Sequence, residues 1–258
     1  MTTYISVISH GHSELIKELS CLDSLVSTFK VVVKSNKPND CFSHLNLSSN
    51  FYWIDEQYYC GFGHNNNIVF DYCQSELGMT ECDNFIVLNP DVIISLDCIN
   101  HLLVQMDIDK NKLAAINLFK DKEYDKYDNS IRQFPSLCQF IKSFLGFGNT
   151  SIIDKSKLSN SCYIDWAAGS FLAFKAGHYA QLCGFDEKYF MYCEDIDICY
   201  RSNEMQVPVV YYPNIKALHL AQHANRAVFS KHFYWHVSSV LRFLLTKINW
   251  TRTKSILK

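Results

Sequence analysis

Five short apolar runs, separated by polar turns or by stretches of helical spacing, organise the chain between Ile5 and Ile116. They are Ile5-Ser6-Val7-Ile8, the β-branched Phe29-Lys30-Val31-Val32-Val33, Phe51-Tyr52-Trp53-Ile54, Phe85-Ile86-Val87-Leu88 and Leu113-Ala114-Ala115-Ile116. Runs this short and rich in Val, Ile and aromatic residues read as strands. Helical spacing lies between them: Ser13 to Val26 through Leu15, Leu19, Leu22 and Val26, about Asn65 to Glu76, and Leu96 to Met106. Strand and helix in alternation predict an α/β fold with a doubly wound, mostly parallel sheet. In such sheets ligands bind beyond the carboxyl ends of the strands.

Residues 119 to 160 break the rhythm, polar at first and then aromatic, and read as an excursion over the sheet near an acceptor site. A strand at Ser170–Phe174, a helix from about Asp195 to Asn203 and a last strand at Val207–Tyr212 are expected to follow. A hydrophobic content of 48% supports a large core and argues against disorder. The net charge of −2 suggests no nucleic-acid partner, but its distribution is uneven. From Met205 to Lys258 there are eight basic residues and no acidic one, against 16 basic and 26 acidic before them. A basic tail on an acidic body suggests an anionic surface as partner. The tail reads as an amphipathic helix from about Phe229 to Ile248, with Phe233, Val237, Val240, Leu241, Leu244 and Ile248 on one stripe. It either docks on the core or rests on anionic lipid. The expected division is a domain over 1–225 and a basic C-terminal helix over 226–258. No run is long enough to cross a membrane. The opening Met1-Thr2-Thr3-Tyr4 shows no signal peptide. Eleven cysteines without a CxxC pair fit reduced thiols in a cytoplasmic protein.

Three carboxylates within four residues, Glu194, Asp195 and Asp197, open the predicted helix. Acids at a helix start are favoured by the macrodipole alone. These follow a small-residue strand, Trp166-Ala167-Ala168-Gly169-Ser170-Phe171, that leaves room for a ligand, although Trp166 also reads as core packing. Asp195 is the candidate general base for a sugar hydroxyl. Glu194 and Asp197 orient it, or Asp197 faces solvent. Asp91, in Leu88-Asn89-Pro90-Asp91, ends a strand and reads either as a cap or as a carboxylate on a divalent cation that bridges a diphosphate. His219 reads as a structural histidine or as a nitrogen ligand to the same ion. Gly61-Phe62-Gly63 followed by three asparagines is a Gly-rich turn into a helix, where backbone amides approach phosphate. Its spacing matches neither GxGxxG nor a P-loop. The asparagine amides, Asn66 among them, serve hydrogen bonding or capping.

In this order these motifs, with Ser9-His10-Gly11-His12 before them, resemble inverting family 2 glycosyltransferases of the GT-A fold. The likeness covers about Tyr4 to His236 and is nearest to bacterial rhamnosyltransferases of O-antigen synthesis. It implies that Asp195 is the base, with Glu194 beside it. It implies that Asp91 and His219 hold Mg²⁺ or Mn²⁺, with Asn89 where the first acid of the DxD-type motif stands. Ser9, His10, Ser35, Gly61, Gly63, Asn66, Asn89, Trp166 and Gly169 would bind the donor. The donor would be dTDP-β-L-rhamnose and the acceptor a sugar on a polyprenyl diphosphate, such as GlcNAc-PP-undecaprenol. The enzyme would be cytoplasmic and peripheral to the anionic inner membrane. The family usually carries an Asp before the Asn after its second strand, and this chain has Ser35-Asn36. The rival readings are a UDP-sugar donor (galactofuranose or a hexose) and a non-catalytic nucleotide-sugar or glycan-binding module. A sugar-nucleotide pyrophosphorylase fits poorly, because Ser9-His10-Gly11-His12-Ser13 lacks the basic loop that class needs.

Overall fold

The computed structural model describes residues 1–144, 150–220 and 231–257, without the side chains of 141–144. In chain order the elements begin with β1 (Thr3–Ser9), α1 (Ser13–Leu19), β2 (Lys30–Ser35), β3 (Phe51–Ile54) and α2 (Phe62–Ser75). Next come β4 (Asn84–Leu88), β5 (Val92–Ile93), α3 (Leu96–Ile108), β6 (Leu113–Phe119), β7 (Ile131–Arg132) and α4 (Leu137–Phe144). The last are β8 (Cys162–Ile164), β9 (Trp166–Ala167), β10 (Phe171–Lys175), α5 (Ala176–Gln181), α6 (Glu194–Glu204), β11 (Val209–His219) and α7 (Lys231–Thr246).

Among the described residues one sheet runs β3-β2-β1-β4-β10-β6-β11-β5, with β8 also on β11. β3, β2, β1 and β4 are mutually parallel. β10 enters antiparallel between β4 and β6, and β11 returns parallel to β6. The sheet is therefore mixed on one side of β4 and wholly parallel on the other. β1, β2, β4, β6 and β10, at the middle of the sheet, are buried on both faces, which is why their sequences read as continuous apolar runs. Tyr4 and Ile8 of β1 pack with Val69 and Phe70 of α2 on one face, in a cluster that also takes Phe174. Ile5 and Val7 pack with Ile16, Ile99 and Leu102 on the other.

Several expectations shift. The helix expected over Ser13–Val26 ends at Leu19, because Ser20 is left-handed (φ 46°), and Leu25–Ser27 forms a separate 3₁₀ turn. α2 starts at Phe62, three residues before the expected Asn65. The last strand does not stop at Tyr212. It passes a bulge between Tyr212 and Lys216 and continues to His219. The excursion contains β7 and α4 and pairs β7 with β9. α7 packs into the shared core through Val240 and Phe243. The expected 225/226 boundary and the expected helix start at Phe229 lie outside the described residues. All eleven cysteines are free thiols. Among the described residues no helix is long and apolar enough to cross a membrane.

Candidate active site

The sheet's carboxyl edge and the start of α6 enclose a cavity of about 450 Å³. Asn89, Trp166, Gly169, Glu194, Asp195 and His219 all line it. Residues from four separate stretches of sequence thus meet at one place, where the α/β architecture expects a ligand.

Asp195, the expected base, is held by a strained turn. Tyr192 (φ 71°) and Cys193 (φ 62°) are consecutive left-handed residues that turn the chain sharply into α6. That conformation costs a non-glycine residue about 1–2 kcal/mol, and it aims the first turn of α6 into the cavity. Asp195 accepts the Gly169 amide at 3.1 Å through Oδ2 and its own neighbour Ile196 at 2.8 Å through Oδ1. Burial pushes its pKa up, and these two amides work against that rise. Glu194 is buried beside it, and its Oε2 has no hydrogen-bond partner among the described residues. Burial and the neighbouring Asp195 charge raise Glu194 to about 8. Asp197 has neither expected role. It is buried, accepts Arg201 Nε at 2.7 Å and Tyr189 Oη at 3.2 Å, and braces α6 from within.

Asp91 and His219 meet because β11 pairs antiparallel with β5, setting His219 opposite Val92. His219 Nε2 lies 3.5 Å from Asp91 Oδ1, and its Nδ1 is 2.7 Å from Asp128 Oδ2. Burial disfavours a charge on His219, but the bonds to Asp128 and Asp91 outweigh it and raise its pKa to about 9. For Asp128, burial is likewise outweighed by His219, and its carboxyl is held below the usual range. The residues fit a divalent cation. A hard carboxylate and an imidazole nitrogen face each other closely enough for one ion to touch both. The second ring nitrogen is fixed by a carboxylate, the usual outer partner of a metal-bound histidine. Among the described residues no group of three or more such side chains gathers, so phosphate and water oxygens would complete the shell.

The remaining predicted donor residues divide. Trp166 lines the cavity, donates Nε1–H to Gln133 O at 2.9 Å, and carries the Arg132 guanidinium over its ring at 5.3 Å. Ser9 is buried at the end of β1 and accepts the His12 amide. His10 is exposed, its Nδ1 3.3 Å from Asn36 Nδ2. Neither belongs to the cavity lining, nor does Ser35. Three expectations need correction. A Cβ on Gly61 would lie 2.5 Å from Phe190 O, and one on Gly63 would lie 2.6 Å from Phe185 Cβ. These glycines let the start of α2 press against the segment before α6, and neither lines the cavity. Asn66 is fully buried, accepts Ser6 Oγ at 2.7 Å and donates to Phe62 O, so it ties α2 to β1 and offers no free amide.

Sequence reasoning missed Asp128, Arg132 and Asp40. The first two sit in the excursion, where no periodicity marks a function. Asp40 is buried, accepts Ser35 Oγ at 2.8 Å and also the Ser13 amide, while Ser35 Oγ accepts Trp53 Nε1–H at 2.9 Å. A carboxylate therefore stands behind Ser35 although position 35 lacks one. Its signal is a lone acid at the end of the polar turn after β2.

No family model matches the chain. It is 36% identical over 250 residues to the rhamnosyltransferase WbbL of Escherichia coli K12, covering 95% of this chain and 93% of WbbL. It is 32% identical over 169 residues to an N-acetylglucosaminyl-diphospho-decaprenol L-rhamnosyltransferase of Mycobacterium tuberculosis, covering 63% of this chain and 55% of that relative. The solved structure of S. aureus TarS 1-349 in complex with UDP matches with a TM-score of 0.58 at 14% identity, over 98% of this chain and 67% of TarS. Its complex with UDP-GlcNAc matches with a TM-score of 0.55 at 14% identity, over 98% and 68%. The TarS likeness shows a common fold, the mostly parallel mixed sheet of GT-A enzymes with a helix at its C-terminal end. With both chains aligned almost end to end on WbbL, the chain belongs to the WbbL-like rhamnosyltransferase family and is a glycosyltransferase of the GT-A fold.

Proposed function

We propose that this glycosyltransferase moves L-rhamnose from dTDP-β-L-rhamnose, with inversion, to a sugar carried on a polyprenyl diphosphate. GlcNAc-PP-undecaprenol is the expected acceptor, and O-antigen assembly at the cytoplasmic face of the inner membrane the expected setting. The observation that carries the reading is one cavity holding both Asp195, its carboxylate aimed by the Gly169 amide, and the strand-end residues Asn89 and His219 beside Asp91. The relatives' names support the sugar, and the second names a lipid-diphosphate acceptor.

Asp195 takes the proton of the acceptor hydroxyl as its oxygen bonds to the anomeric carbon. The bond from that carbon to the diphosphate breaks on the opposite face, and dTDP leaves with the electron pair. Asp91 and His219 would hold Mg²⁺ or Mn²⁺, which when bound offsets charge on the leaving diphosphate. Asp128 keeps His219 oriented, and Trp166 walls the site from the side of the excursion.

The test is donor turnover. Purified protein is incubated with Mg²⁺ or Mn²⁺, a GlcNAc-diphospho-lipid analogue, and dTDP-rhamnose or a panel of UDP-sugars, and product is followed by mass. Transfer from dTDP-rhamnose alone, abolished by EDTA, is expected. Transfer from a UDP-sugar would keep the mechanism and overturn the rhamnosyl donor. Donor binding without transfer to any acceptor would favour a binding module.

A further inference from the structure

We propose that the outward face of α7 docks the enzyme on an anionic bilayer, with the helix lying in the headgroup region. The inference rests on the lipid-linked acceptor of the preceding reading. It starts from a helix that is apolar on two opposite sides. Its inner side is the one the core uses: Val240 and Phe243 are buried, and Ser239 Oγ donates to Met191 O at 2.9 Å. Its outer side carries Tyr234 (72% exposed), Leu241 (57%) and Leu245 (40%), continued past the helix end by Ile248 (56%) and Trp250 (79%). The spacings of seven, four and three between Tyr234, Leu241, Leu245 and Ile248 keep them on one stripe. Scattered exposed apolar residues need no explanation, but several gathered on one side of a helix and its C-terminal extension do.

Charge selects the occupant. Lys231, Arg252 and Lys254 are exposed at the two ends of the stripe, and no acidic residue follows Glu204. Arg242 points inward to Asp186, with Nε–Oδ2 at 2.8 Å, and takes no part. A two-fold pairing of two copies through this face would set cation against cation. An anionic lipid surface meets the same cations with opposite charge, and Tyr and Trp at the ends suit the headgroup boundary. The inner side adds position. His236 lines the catalytic cavity, with the ring of Tyr192, also in the cavity wall, tilted against it at 5.0 Å. One helix, about 10 Å thick, thus separates the bilayer from the cavity, within reach of a sugar diphosphate anchored in that bilayer.

The full chain is sedimented with vesicles of phosphatidylethanolamine and phosphatidylglycerol, and with vesicles of phosphatidylcholine alone. Binding to the anionic vesicles is expected, with release at high salt and about tenfold less bound protein for Leu241→Ser/Leu245→Ser. Both leucines are exposed and outside the cavity. The double variant should keep its thermal midpoint and its turnover on a water-soluble, short-chain acceptor. No binding to anionic vesicles, equal binding by the variant, or a dimer in light scattering that the variant dissolves would each overturn the proposal. Turnover of the soluble acceptor without vesicle binding sinks the docking face alone. Vesicle binding without turnover of any donor sinks the transferase reading alone.

Discussion

Asp195, proposed as the base, has a raised pKa but keeps two amide donors: burial makes its carboxylate a stronger proton acceptor while the Gly169 and Ile196 N–H groups hold its ionised form in place. Asp195→Asn should keep the fold and donor binding and lower kcat by about 10²–10⁴-fold, read in a turnover assay beside a thermal melt. A raised pKa also places the acid limb of kcat/KM above the ordinary carboxylate range, which a pH–rate profile would show. Glu194 makes a separate prediction. Its proton leaves the unfolded chain near 4.5 and the folded chain near 8. Between those values the folded state binds more proton, so Glu194 subtracts stability as pH rises through that window. Glu194→Gln removes the penalty. Its unfolding free energy from urea denaturation should match wild type below about pH 4 and exceed it near about pH 8.5, by up to a few kcal/mol.

At the scale of elements, the site depends on how α2, α6 and α7 press on the segment from Phe185 to Cys193. Gly63 gives α2 a close approach, with Phe185 Cβ 2.6 Å from where a Cβ would stand. Gly63→Ala should destabilise the protein by about 1–3 kcal/mol in urea denaturation and reduce turnover by displacing the turn before α6. α7 is pinned by Arg242, whose Nε meets the buried Asp186 at 2.8 Å. Arg242→Ala leaves that carboxylate without its cation, and a loss of about 3 kcal/mol is expected, again from urea denaturation. The central strands were legible because two-sided burial writes an unbroken apolar run into each. The glycines of α2 were visible too, but not their use. A Gly-rich turn looks the same whether a phosphate or a neighbouring backbone comes close. The stripe expected on the tail helix divides for a similar reason. Val240 of that stripe is buried while Leu241 and Ile248 face outward, because a helix apolar on two sides has no single moment to read.

At the scale of the whole molecule, the candidate metal site is assembled from segments far apart in sequence. Asp91 follows β4, Asp128 lies in the excursion and His219 ends β11. Asp128→Asn keeps the side chain's shape and weakens its hold on His219. Mn²⁺ affinity measured by calorimetry in the presence of dTDP should fall by about 10–100-fold, with little change in thermal midpoint.

By itself the sequence determined the alternation of strand and helix, the acids at the start of α6, the strand-end Asp91 and the basic tail. Each is a local matter of propensity, burial pattern or charge, and each resides in neighbouring residues. Only the tertiary structure decided that β10 enters antiparallel, that β11 runs on past its bulge to bring His219 to Asp91, and that Asp197 turns inward while Asp195 faces the cavity. The physical reason is that these outcomes rest on strand register and on the direction of side chains from packed helices. Both are settled by contacts between residues far apart in the chain, which no local pattern encodes.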